Sequence, residues 1–160
     1  DSYIPTSYID DETSRMVVYR RISNITNTKE YEDFIDEVLD RYGDPPTQVI
    51  VLADVALIRA YASKLGFDRV IIKDDKVLLY YAPSRKIDMF AVGELVNSKE
   101  FEGKVLLNAA GRPYLHYMPM KLSKKDVITN TRRLLTIMSD ALEKEKEEAA
   151  SFYCVVCLLH

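Results

Sequence analysis

The sequence predicts an α+β domain: N-terminal helices, then a small, largely antiparallel sheet of about four strands, then a long C-terminal helix. Three observations point there. Apolar residues recur at helical spacing from Asp10 to Gly66 and again from Val127 onward. Four β-rich runs fall between those stretches. The strands are bunched instead of alternating with helices, which argues against βαβ units and the ligand-binding switch points of doubly wound sheets.

Asp10, Asp11 and Glu12 open the first helix, in which Val18, Tyr19, Ile22 and Ile25 recur at helical spacing with Arg20 and Arg21 outside. Thr28 is the expected cap of the second helix, with Glu32 a few residues on. Tyr31, Phe34, Val38 and Tyr42 form its apolar stripe and Gly43 ends it. Asp44-Pro45-Pro46 makes a stiff turn. Val49 to Leu65 is apolar almost all round, interrupted only by Asp54, Arg59, Ser63 and Lys64, so the third helix should be central, with Gly66 as its C-cap.

The period then changes. Arg69 to Lys73 and Lys76 to Tyr81 read as strands joined by a tight Asp74-Asp75 turn. A short helix over Ile87 to Val96 precedes a second strand pair, Lys104 to Asn108 and Pro113 to Met118, joined through Gly111. Ser123 and Asp126 form a capping box, and Val127, Thr131, Leu134, Met138 and Leu142 carry one long closing helix.

With 160 residues and 48% hydrophobic content, the chain can bury one core without disulfide or metal. The expected organisation is a single domain over residues 1–150 and an apolar tail over 151–160. A net charge of −3 lacks the basic excess that recruits nucleic acid or an anionic membrane. No apolar run is long enough to span a bilayer, and the opening Asp1-Ser2 is not a leader; the expected location is cytoplasmic, with no membrane partner. The first residue is not Met, so the chain reads as part of something longer. The two cysteines, Cys154 and Cys157, lie too close together to staple distant segments, which suits a reducing compartment.

Several chemistries lack material. The five glycines stand alone at 43, 66, 93, 103 and 111, so no phosphate-cradling loop forms. His116 lies inside an apolar strand and His160 is the last residue, which leaves no triad. Cys154, Cys157 and His160 have zinc-ligand spacing but want a fourth ligand; no metal and no cofactor is expected. Phe152, Tyr153, Val155, Val156, Leu158 and Leu159 read instead as a sticky end that docks on the domain or on another molecule. Arg20-Arg21, Arg132-Arg133 and Ser84-Arg85-Lys86 beside Tyr80-Tyr81 are the alternative, a nucleic-acid surface. Scattered cations on an acidic chain read more simply as solvated faces.

The second helix is the informative feature. Glu30, Glu32, Asp33, Asp36, Glu37 and Asp40 face only Lys29 and Arg41, and Asp33, Glu37 and Asp40 share a stripe. Carboxylates gathered toward a helix C-terminus repel one another and oppose the macrodipole, at about 0.3–1 kcal/mol each when exposed. That placement suits a surface kept for a basic partner, with Asp33, Asp36, Glu37 and Asp40 as contacts. A general acid/base pair is the weaker reading, because nothing nearby sets the protonation of the two groups.

Tyr3-Ile4-Pro5, Tyr8-Ile9, Arg15 spaced to Tyr19-Arg20-Arg21-Ile22, then Asp40-Arg41-Tyr42-Gly43 and Pro46 resemble the C-terminal domain of bacterial transcription-repair coupling factors, the Mfd family. Ala56, Leu57, Arg59, Ala62, Leu65 and Gly66 continue the likeness; beyond Phe67 only the order of elements is similar. The resemblance implies a parent in which a helicase-like translocase pushes stalled RNA polymerase and a UvrB-like module recruits UvrA. It implies that this domain has no motor and is not an enzyme. Instead it folds back on the UvrA-binding module and masks it, with Glu37 and Asp40 meeting arginines there. The expected function is thus non-catalytic and autoinhibitory in transcription-coupled nucleotide excision repair. The expected partner is the UvrB-like module of the same polypeptide, with UvrA and RNA polymerase acting indirectly. A nucleic-acid-binding accessory module of the same translocase is the alternative.

Overall fold

The computed structural model describes residues 2–73 and 75–159. It contains α1 (Glu12–Ser23), α2 (Thr28–Tyr42), α3 (Thr47–Leu65), β1 (Phe67–Lys73), β2 (Lys76–Tyr81), α4 (Met89–Val96), β3 (Val105–Asn108), β4 (Tyr114–Tyr117) and α5 (Lys124–Leu159). The expected α+β order is present. Asp74 of the expected hairpin turn, His160 of the weighed zinc set and the opening Asp1 lie outside the described residues.

Local chemistry sets the helix ends. The Asp11 carboxylate accepts the Ser14 N–H at 2.7 Å. The cap of α2 is Asn27 and not Thr28: Asn27 is extended (φ −151°, ψ 169°) and its side chain accepts from the Glu30 N–H at 2.9 Å. Thr28 is already helical, and its N–H donates to the Tyr61 phenol oxygen of α3 at 2.8 Å. At the end of α3, Gly66 takes the left-handed conformation (φ 90°) that a Cβ would disfavour. The Ser123 hydroxyl accepts the Asp126 N–H at 3.2 Å and donates to its carboxylate at 2.6 Å, so the expected capping box opens α5.

The four strands form one antiparallel sheet in the order β1-β2-β4-β3. Val77 pairs with Tyr117 and Leu79 with Leu115, and these side chains are buried on one face together with Tyr81. Leu78, Tyr80, Tyr114 and His116 alternate onto the other, half-buried face. Helix α3 packs against α5, β1, α2 and α1, the central position its all-round apolar surface predicts.

Two polar positions depart from expectation. Asp54 is fully buried, accepting the Tyr31 hydroxyl at 2.7 Å and the Thr129 hydroxyl at 3.0 Å, with the Arg132 Nε 2.8 Å away. Arg132 is therefore an internal counter-charge and not part of a solvated face. Its Nε–H is not directed at the oxygen, so charge attraction carries the pair, and its guanidinium lies 4.6 Å from the Tyr31 ring centre. Arg133 turns outward to Glu100 at 3.0 Å.

Helix α5 continues as helix through the apolar tail. Phe152 is 68% exposed and Leu158 81%, so the tail does not dock on the body of the domain. Among the described residues no helix is long and apolar enough to cross a membrane.

Candidate partner-binding surface

The acidic helix is held by the segment before it. The Tyr8 hydroxyl donates to the Gly43 carbonyl at 2.8 Å, and its ring meets Tyr42 edge-on at 5.9 Å. Burial, then the nearby charge of Asp44, raises the Tyr8 phenol above its ordinary range, so it remains a donor. The Ile4 N–H donates to the Tyr19 hydroxyl at 2.8 Å, and Arg15 donates to the carbonyls of Ile9 and Asp10 at 2.9 and 2.7 Å. Ile4, Tyr8, Ile9, Arg15, Tyr19, Tyr42 and Gly43, all among the residues carrying the sequence resemblance, thus lash the N-terminal segment to α1 and to the end of α2.

On α2 itself, cations divide the carboxylates into two groups. Arg21 of α1 pairs with Glu37, and Arg41 approaches the same carboxylate at 3.6 Å. Lys29 pairs with Asp33 at 2.8 Å, which raises the lysine pKa. Asp36 and Asp40 form no ion pair among the described residues, and both are exposed. They stand one turn apart, aligned with exposed Glu32. Of the four expected contacts, Asp36 and Asp40 are free, whereas Asp33 and Glu37 already have partners.

Exposed apolar positions lie on the same helix and on α1. Leu39 is 45% exposed on α2, and Met16 and Val17 are 57% and 49% exposed on α1. Between the helices lies a shallow cleft of about 120 Å³ whose lining includes Val17, Phe34, Glu37 and Tyr42. Leu39 and Val17 were not picked out by sequence reasoning. The available signal is that each falls outside its own helix's buried stripe, Phe34 and Val38 on α2 and Val18 and Ile22 on α1.

The nucleic-acid alternative loses its aromatic pair. Tyr81 is buried in the core, while Tyr80 lies on the opposite sheet face, 5.2 Å from the Tyr114 ring and beneath Arg112. Arg85 donates to the Lys64 carbonyl at 3.1 Å. Cys154 and Cys157 are free and exposed, and among the described residues no three His, Cys, Asp or Glu side chains group closely enough to hold a metal ion.

The family model described as the TRCF domain matches residues 1–92. The chain belongs to the TRCF domain family. A transcription-repair-coupling factor of Rickettsia bellii is 29% identical over 140 residues, covering 86% of this chain and 12% of that protein. The Bacillus subtilis factor is 36% identical over 77 residues, 48% of this chain and 6% of that protein. This TRCF domain therefore spans about a tenth or less of the length of these relatives. A crystal structure described as the C-terminal domain of transcription-repair coupling factor superposes with a TM-score of 0.71 at 23% identity, covering 92% of this chain and 90% of that one. That likeness establishes the shared fold.

Proposed function

We propose that this TRCF domain is a non-catalytic docking module of a longer transcription-repair coupling factor. Its acidic α2 face covers the basic surface of the UvrB-like, UvrA-binding module of the same polypeptide. The observation that carries this reading is the exposed pair Asp36 and Asp40, which form no ion pair among the described residues, beside exposed Leu39. Unpaired carboxylates set the charge and register of the contact, and Leu39 with Val17 supplies apolar area. Closure within one polypeptide needs little intrinsic affinity, because tethering holds the partner at high effective concentration. Engagement of stalled RNA polymerase then has only a modest equilibrium to shift before UvrA is recruited. The same reading implies a cytoplasmic location.

The test uses the full-length parent. Asp36→Lys with Asp40→Lys is expected to raise its affinity for UvrA several-fold, and adding Leu39→Ala raises it further. Unchanged UvrA affinity in the triple variant, with the protein folded, would refute masking by this face.

A further inference from the structure

We propose that the groove between α3 and the free edge of β1 receives an extended, acidic peptide segment that adds to the sheet as a fifth strand. Strand β1 is terminal in the sheet, and its pairing with β2 is regular from Arg69 to Lys73. Among the described residues no backbone hydrogen bond reaches β1 from the side away from β2. An edge of this kind offers alternate N–H and C=O groups to an incoming strand.

Beside that edge lies a groove of about 590 Å³. Val55 and Ile58 of α3 and Val70 and Ile72 of β1 give it an apolar floor. Its rim is cationic. Arg59 and Arg69 are exposed and pair with no carboxylate among the described residues. Arg85 is held at the same groove by its bond to the Lys64 carbonyl and by close packing on Gly66. Asp68, the one carboxylate in the lining, is bound to Arg112. Three guanidiniums without a free carboxylate, on a chain of net charge −3, mark a local reversal of sign.

The occupant follows from that geometry. A strand laid along β1 points alternate side chains at the floor and the others toward the rim. Apolar residues alternating with Asp or Glu satisfy both, and carboxylates match the guanidinium fork. A single-stranded nucleic acid fits poorly, because Phe67, the aromatic residue of the lining, is 4% exposed and cannot stack a base. Helix α2 contributes no residue to this groove, so the site is independent of the acidic docking face.

Backbone amide shifts of the 160-residue chain, followed during titration with a capped heptapeptide alternating Glu and Val, test the assignment. The expected shifts map to Arg69–Lys73 and to Arg59–Ser63. Affinity falls at least tenfold for the Arg59→Glu, Arg69→Glu double variant, whose altered residues are both exposed, and for a peptide N-methylated at alternate amides. Absence of shifts at millimolar peptide, equal binding of a Lys-Val peptide, or shifts at β3 instead of β1 would overturn it. Undiminished binding of the N-methylated peptide would overturn strand addition.

Discussion

The Asp54 carboxylate, with no solvent exposure, lies 2.8 Å from the Arg132 guanidinium and so ties α3 to α5 in the centre of the fold. Removing one member leaves the other charged and largely buried. Asp54→Ala is expected to cost about 3 kcal/mol in urea unfolding, near the low end for a broken buried pair because Arg132 keeps 17% exposure. The Asp54→Leu, Arg132→Met double variant should recover most of that loss. A single variant as stable as the double one would show that the pair does not organise this interface.

Tyr31 donates to the same carboxylate. Burial first, then the charge of Asp54 and this hydrogen bond, raise the Tyr31 phenol well above its ordinary 10.0. A raised folded-state value means that the native state holds the proton more tightly. The associated stability is complete below about pH 10 and is lost as pH rises toward the folded-state value. Tyr31→Phe is expected to cost about 1 kcal/mol at neutral pH by leaving Asp54 one donor short. It should also make the fall in stability above pH 10 shallower, as measured by urea midpoints between pH 8 and 11.

Gly66 and Gly93 should respond oppositely to alanine. At Gly66 φ is +90°, and a Cβ would meet the Arg85 Nε at 3.1 Å, so Gly66→Ala should lower stability by about 1–2 kcal/mol. Gly93 sits within α4 with nothing within 4 Å of an added Cβ, so Gly93→Ala should raise stability by about 0.5–1 kcal/mol. Thermal unfolding midpoints distinguish the two signs.

Truncation after Lys146 retains the Lys64 contact to Glu143 at 2.7 Å and removes the exposed apolar end of α5. The unfolding free energy should change by less than about 0.5 kcal/mol. A larger loss in urea unfolding would mean that the end of α5 packs on the domain after all.

Glu37 and Asp40 should separate fold from docking. Glu37→Lys breaks the pairing with Arg21 and Arg41, so it lowers the stability of the domain itself. Asp40→Lys removes no ion pair and places a cation in the last turn of α2, so it should raise the unfolding free energy by up to about 1 kcal/mol. It should weaken retention by the separately expressed UvrB-like module by up to about fivefold per charge, the scale of an exposed pair. That difference should shrink as salt rises.

Much of the architecture was legible because it rests on local periodicity. The stripe through Phe34 and Val38 and the alternation Val77, Leu79, Tyr81 each need only one element's own residues to be recognised. That alternation already separates Tyr80 from Tyr81. The Asn27 cap was missed because two adjacent residues were both competent caps. The choice fell to Tyr61, distant in sequence, whose phenol oxygen accepts the Thr28 N–H and shares a hydrogen bond with the Thr28 hydroxyl.

The sequence by itself determined the order and kind of the elements, the acidic character of α2 and the likeness to the TRCF family over its first three helices. Only the tertiary structure decided which charges are spent and which are free. Arg21 reaches Glu37 from another helix, Arg132 enters the core to meet Asp54, and Asp40 is left without a cation among the described residues. The reason is physical: helix and strand periods are short-range properties of the chain, whereas the neutralisation of a side chain depends on what packing brings within a few ångströms of it.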